Sequence, residues 1–127
     1  MPATALIVED EIFVALDLER ILLDAGYAVK AIAADCPGAL DAAADCSFAL
    51  LDVNLRDGPT GPELARTLTQ DYGLKVVFVT ANPGQIENSS GAVGYVRKPF
   101  RADAILAAAA AATAGKASPH EEFVLLA

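Results

Sequence analysis

The sequence predicts an α/β fold built on a parallel sheet with both faces covered, and three observations carry that reading. First, the runs ALIV, FALL and VVFV are short and apolar throughout, as strands buried on both faces are. Second, the segments between such runs show helical patterns of about 10–15 residues, the crossover that parallel strands require. Third, four runs close on chemically active side chains: Glu9 and Asp10, then Asp52, then Thr80, then Lys98. In an open parallel sheet those ends share one edge, where ligands bind at the reversal of strand order.

Residues 4–9 (TALIVE) read as the first strand. From Glu11 to Ala25, Val14, Leu18, Ile21, Leu22 and Ala25 recur at helical spacing, and Gly26 stops the helix. A second strand follows over about residues 27–33, then a short helix from Pro37 to about Asp45, with Asp35 or Cys36 at its cap. SFALLD (47–52) is the third strand, and after the turn-rich DGPTGPE a helix runs from Pro62 to about Tyr72. KVVFVT and VGYVRK are the fourth and fifth strands. Asp103 to Ala114 forms a last helix made almost wholly of alanine, the best helix former. Its small side chains suit close packing on the sheet. Between Thr80 and Tyr95, ANPGQIENSSGAVG holds Pro83, Gly84, Ser89, Ser90 and Gly91 where a whole crossover helix belongs. Any fourth helix there is short, and region 82–92 is expected to be mobile or only briefly helical.

A chain of 127 residues fits one domain that buries roughly two-thirds of its unfolded surface. With 54 % apolar and 20 % charged residues it is globular. No stretch approaches the roughly 20 apolar residues of a membrane span, and MPATALIVEDE lacks the basic start of a signal peptide. A cytoplasmic protein without a membrane partner is expected. The net charge of −8, with no basic stretch, argues against nucleic acid. Cys36 and Cys46 have no metal-ligand spacing and read as reduced thiols.

Three carboxylates at one edge repel one another unless a cation neutralises them, and an all-oxygen donor set suits a hard divalent ion such as Mg2+. A lysine and a threonine converging on the same place point to a phosphoryl group. The fragments VEDE (8–11), LLDVNLRDG (50–58), VVFVTA (76–81) and YVRKPF (95–100) together resemble the receiver domain of response regulators, the CheY-like phosphoacceptor module of bacterial two-component signalling. The resemblance covers about residues 3–114. It implies a three-layer, flavodoxin-like (βα)5 fold whose five-stranded parallel sheet has the order 2-1-3-4-5, here with a short or degenerate fourth helix.

By the same resemblance Asp52 accepts a phosphoryl group from a phosphohistidine, a known role for carboxylate nucleophiles. Asp10 and Asp52 ligate Mg2+ with the backbone carbonyl of Asn54, while Glu9 acts mainly through water. Lys98, ahead of Pro99 and an expected cis bond, supplies positive charge to a reaction governed by position and electrostatics. Thr80 and Tyr95 are the implied switch pair. Implied partners are a sensor histidine kinase or histidine phosphotransferase and a downstream protein target. Ile12 and Phe13, beside the core face of the first helix, offer either packing or a docking surface.

On this reading residues 1–115 are the receiver domain and 116–127 an apolar tail too short for an output domain, so the protein signals by contact and is not an enzyme beyond turnover of its own phosphoryl group. Two alternatives stand beside it. One is a receiver-like binding module that takes no phosphate. The other is a haloacid-dehalogenase-type phosphatase, whose signature has a second Asp where this chain has Asn54. His120, the single histidine, reads as an exposed tail residue. Phe123, Val124, Leu125 and Leu126 are expected to be buried as an extended segment at a sheet edge or in a groove, in this domain or across a homodimer formed by the tail or the first helix.

Overall fold

Strands and helices alternate in the order the apolar runs predict. The computed structural model describes residues 3–86, 91–114 and 120–126. Its elements are β1 (Thr4–Val8), α1 (Ile12–Asp24), β2 (Ala28–Ala33), α2 (Cys36–Ala42), β3 (Phe48–Leu51), α3 (Gly61–Tyr72), β4 (Lys75–Thr80), a 3-10 turn (Pro83–Gln85), β5 (Gly94–Arg97), α4 (Ala102–Ala114) and β6 (Phe123–Leu125). The sheet order is β2-β1-β3-β4-β5-β6. The first five strands pair in parallel, and β6 is antiparallel to β5. The expected order 2-1-3-4-5 is therefore present, but among the described residues the sheet has six strands and not five.

Successive strand residues point to opposite faces, and because both faces are covered both sets are apolar. Ala5, Ile7, Phe48, Leu50, Val77, Val79 and Val96 meet α1 and α4, while Leu6, Val8, Ala49, Leu51, Val76 and Phe78 meet α2 and α3. In α4 the side chains of Ala108, Ala109, Ala111 and Ala112 are buried beside Ile105. Methyl groups alone face the sheet over most of that helix, so its backbone lies close. Asp35 caps α2, its Oδ1 accepting from the Gly38 N–H at 2.9 Å. Gly73, at φ 70°, ends α3 in the left-handed region that glycine enters without penalty.

Between β4 and β5 the described residues form only the turn Pro83–Gln85. Pro83 and Gly84 keep the helix to one short turn, as the sequence suggests; residues 87–90 of the expected stretch 82–92 lie outside the described residues.

The tail segment does add to a sheet edge. Tyr95 pairs with Val124, Val96 with Phe123, and the Leu126 N–H donates to the Val93 carbonyl at 3.0 Å. The expectation that all four apolar residues are buried needs correction. Phe123 is, whereas Val124 and Leu125 are 40 % and 55 % exposed and Leu126 is half-buried. An edge strand with little layer beyond it can bury one anchor without burying its neighbours. One buried aromatic contributes about 2–3 kcal/mol, and ordering each residue costs about 1–2 kcal/mol. The docked tail is thus held by a narrow margin.

Candidate phosphoacceptor site

The site forms where strand order reverses, between the ends of β1 and β3, with the end of β5 reaching across. Backbone bonds set the register: Glu9 N–H donates to the Ala33 carbonyl at 2.8 Å, Asp52 N–H to Val8 at 3.1 Å, and Lys98 N–H to Thr80 at 2.9 Å. These contacts bring Glu9, Asp52 and Lys98, each just past a strand, to one edge with Thr80, the last residue of β4. The Lys98–Pro99 bond is cis.

The Lys98 ammonium bridges two carboxylates, with Nζ 2.6 Å from Glu9 Oε1 and 2.9 Å from Asp52 Oδ2. All three side chains are largely shielded from water. The remaining carboxylate oxygens accept backbone protons, Glu9 Oε2 from Glu11 N–H at 3.1 Å and Asp52 Oδ1 from Val53 N–H at 2.7 Å. Asp10 is exposed at the mouth. Ligand atoms of Glu9, Asp10 and Asp52 lie within 4.8 Å of one another, an arrangement of three oxygen donors that fits a hard divalent cation.

Burial raises the Glu9 carboxyl above its ordinary range, against the pull of Lys98. For Lys98, burial works to lower the ammonium, but the hydrogen bonds to Glu9 and Asp52 outweigh it and the net direction is upward. A lysine shared by two carboxylates stays charged. Glu9 is thus a direct partner of Lys98, a contact that the resemblance did not single out.

Thr80 is fully buried, and its Oγ1 accepts from Asn82 N–H at 3.0 Å. Tyr95, half-buried one strand further out, faces the α3 side of the sheet and is the register partner of Val124. Asn54 sits in the loop after β3, and its Nδ2 donates to Gln85 Oε1 at 2.9 Å. That bond links the loops after β3 and β4 over the pocket. Gln85 was not legible as a site residue, because a lone amide in a polar loop carries no pattern.

Asp57 was missed for the same reason. It accepts from Thr60 Oγ1 at 2.8 Å and from Cys36 N–H at 3.2 Å, which ties the β3–α3 loop to α2; the Thr60 bond lowers its carboxyl. Cys36 and Cys46 are free, and burial pushes both thiols up and away from reactivity. His120 is not the exposed tail residue that the sequence suggests: its side chain is 19 % exposed, with Nε2 3.4 Å from Asp103 Oδ2.

On the other side of Lys98, a cavity of about 480 Å3 is lined by Phe13, Val14, Asp17, Ala81, Pro99 and Phe100. Both Ile12 and Phe13 are exposed, Phe13 at 85 %.

The model of the response regulator receiver domain matches residues 5–110. Among curated proteins, the phyllosphere-induced regulator PhyR of Methylorubrum extorquens is 31 % identical over 86 residues, which are 65 % of this chain and 32 % of that protein. The chain thus spans about a third of that relative's length. Among solved structures, the PhyR receiver domain of Erythrobacter litoralis is similar with a TM-score of 0.81 and 25 % identity, over 94 % of this chain and 95 % of that one. A CheY-like receiver domain protein from Methanospirillum hungatei gives a TM-score of 0.73 and 27 % identity, over 84 % and 89 % of the two chains. With its strand order, its acidic pocket and these likenesses, the chain belongs to the response regulator receiver domain family.

Proposed function

We propose that the chain is a phosphoacceptor of two-component signalling in which Asp52 takes a phosphoryl group from a phosphohistidine and the changed domain then makes or breaks protein contacts. The observation that carries this reading is the Lys98 ammonium held between Glu9 and Asp52 at 2.6 and 2.9 Å. A buried carboxylate beside a fixed cation and two further acids is arranged for a group whose charge spreads over three oxygens. The Asp52 carboxylate attacks phosphorus, the bond to the donor nitrogen breaks, and the imidazole leaves. Mg2+, when bound by Asp10, Asp52 and the Asn54 carbonyl, supplies further positive charge to the phosphoryl oxygens. Lys98 neutralises an oxygen of the incoming group, and Thr80 offers its hydroxyl. A hydroxyl that gains an acceptor only when the group is present gives the differential interaction that a population shift requires, with Tyr95 as the aromatic that follows it.

Receiver domains interact with kinases or phosphotransferases and with downstream targets, and the exposed Ile12 and Phe13 beside the pocket support docking of the phosphodonor there. We place the phosphoaccepting unit within residues 1–115. The test is incubation with acetyl phosphate and Mg2+ followed by mass spectrometry. A label is expected on Asp52, lost in Asp52→Asn while the fold is kept. Mg2+-dependent labelling of another residue in that variant would overturn the assignment.

A further inference from the structure

The outer edge of β5 is shaped to receive a strand. A Cβ at Gly94 would lie 2.3 Å from the Val124 carbonyl oxygen and 2.7 Å from Cε1 of Phe123, so the missing side chain is what lets β6 close on β5 and the ring of Phe123 enter. That ring is the one deeply buried group of the segment, packed into the core that α1 and α4 share. On the opposite face Val124, Glu121 and Glu122 share a cavity of about 380 Å3 with Arg97 and Lys98. The seat therefore combines strand hydrogen bonds, a slot for one aromatic ring and cations that face acidic side chains.

Its present occupant fits imperfectly. Glu122 Oε1 is shielded from solvent without a hydrogen-bond partner, and the Arg101 guanidinium stands 3.9 Å away. A shielded acceptor left unpaired weighs against docking. Val124 and Leu125 stay about half exposed, and Asp103, which both His120 and Arg101 approach, is itself exposed, so those contacts contribute little. The segment holds on by one ring and a few backbone bonds.

We propose that the outer edge of β5 is a binding site for an extended segment of a partner protein carrying an aromatic residue in the Phe123 position, preceded by acidic residues, and that residues 120–126 are the occupant in cis which such a segment displaces. Main-chain bonds to a sheet edge give such a strand its affinity, and side-chain pockets give it selectivity. Gly94 and the Phe123 slot select the aromatic, and Arg97 and Arg101 select the acids. This inference goes beyond phosphoryl acceptance and is tested in the unphosphorylated protein, so it stands or falls separately from the role of Asp52.

The probe is a fluorescent peptide of sequence HEEFVLL, measured by anisotropy against the full chain. A tethered segment competes at high effective concentration. The peptide is therefore expected to bind Phe123→Ala protein at least tenfold more tightly than wild type. A peptide with alanine in place of the phenylalanine is expected not to bind, and one with glutamine at both glutamates is expected to bind more weakly. Adding Gly94→Ala to Phe123→Ala abolishes binding. Leu126→Pro, which removes the N–H given to Val93 and the leucine side chain packed on the core but leaves Phe123 in place, provides a second way to free the tail if Phe123→Ala folds poorly. Absence of peptide binding to either variant, when amide exchange shows residues 124–126 detached, would overturn the proposal. So would a wild-type dimer that Phe123→Ala converts to monomers, since the seat would then belong to the tail of a second copy.

Discussion

Lys98 is the residue on which the pocket's charge balance turns. It is the cation within salt-bridge distance of both Glu9 and Asp52, so Lys98→Met leaves two shielded carboxylates facing each other. Breaking a buried pair in this way costs about 3 kcal/mol, the low end of the usual range, and urea unfolding at pH 7 measures it. Asp52→Asn is the opposite case, because it removes one of two mutually repelling charges and keeps the Lys98–Glu9 pair; its stability is expected within about 1 kcal/mol of wild type or above it. The pH dependence follows from the upward direction at Lys98, which burial opposes and the two carboxylate hydrogen bonds enforce. A cation whose folded pKa lies above its unfolded value contributes fully below the ordinary lysine range, about 10.4, and loses that contribution as pH rises through the higher folded value. The stability gap between wild type and Lys98→Met is therefore expected to be constant near neutrality and to close above about pH 10.5. At position 54 the side chain is an amide bonded to Gln85, not the second acid of the phosphatase alternative.

The elements show why some of this fold was legible and some was not. KVVFVT is β4 to the residue, and the strands ending in Glu9, Asp52 and Lys98 were readable because parallel strands buried on both faces are continuous apolar runs. The convergence of those residues was readable too, since it follows from parallel topology alone. β6 was legible as an extended apolar tail, at a sheet edge or in a groove. Three residues carry too little period to separate an edge strand from a groove-bound segment, and the contact that decides it, Phe123 against Gly94, spans distant positions. The backbone donors Glu11 and Val53, which complete the carboxylate bonds, leave no trace in side-chain identity. Gly61 shows the same limit. Its N–H donates to the Val53 carbonyl at 2.9 Å, and a Cβ there would lie 2.3 Å from the Asp52 carbonyl oxygen and 2.6 Å from Val53 Cα. The start of α3 therefore rests directly against the strand end that carries the phosphoacceptor. Gly61→Ala is expected to push the two apart, costing about 1–3 kcal/mol as overpacking does, and to slow acetyl phosphate labelling of Asp52. Unchanged stability with unchanged labelling would mean that the helix start yields freely.

The whole molecule carries a net charge of −8, and three of its carboxylates meet at one strand edge with one lysine among them. Such a protein gains stability from any cation that reduces its self-repulsion, so stabilisation by Mg2+ has two sources that must be separated. Diffuse screening depends on ionic strength and is reproduced by NaCl. Binding at a site depends on the ion and follows mass action, adding about 2.7 kcal/mol when the free ion is a hundredfold above its dissociation constant. A site made by Asp10 and Asp52 predicts that Mg2+ raises the unfolding temperature well beyond NaCl at matched ionic strength. In Asp10→Asn most of that excess is expected to vanish. The general salt response, which belongs to the remaining surface charge, is expected to persist. Asp10 suits this comparison because it is exposed at the mouth of the pocket and has neither of the Lys98 contacts, so its replacement leaves the Glu9–Lys98–Asp52 bridge intact. Equal shifts from Mg2+ and NaCl in the wild-type protein would show that the acidic cluster holds no ion of its own.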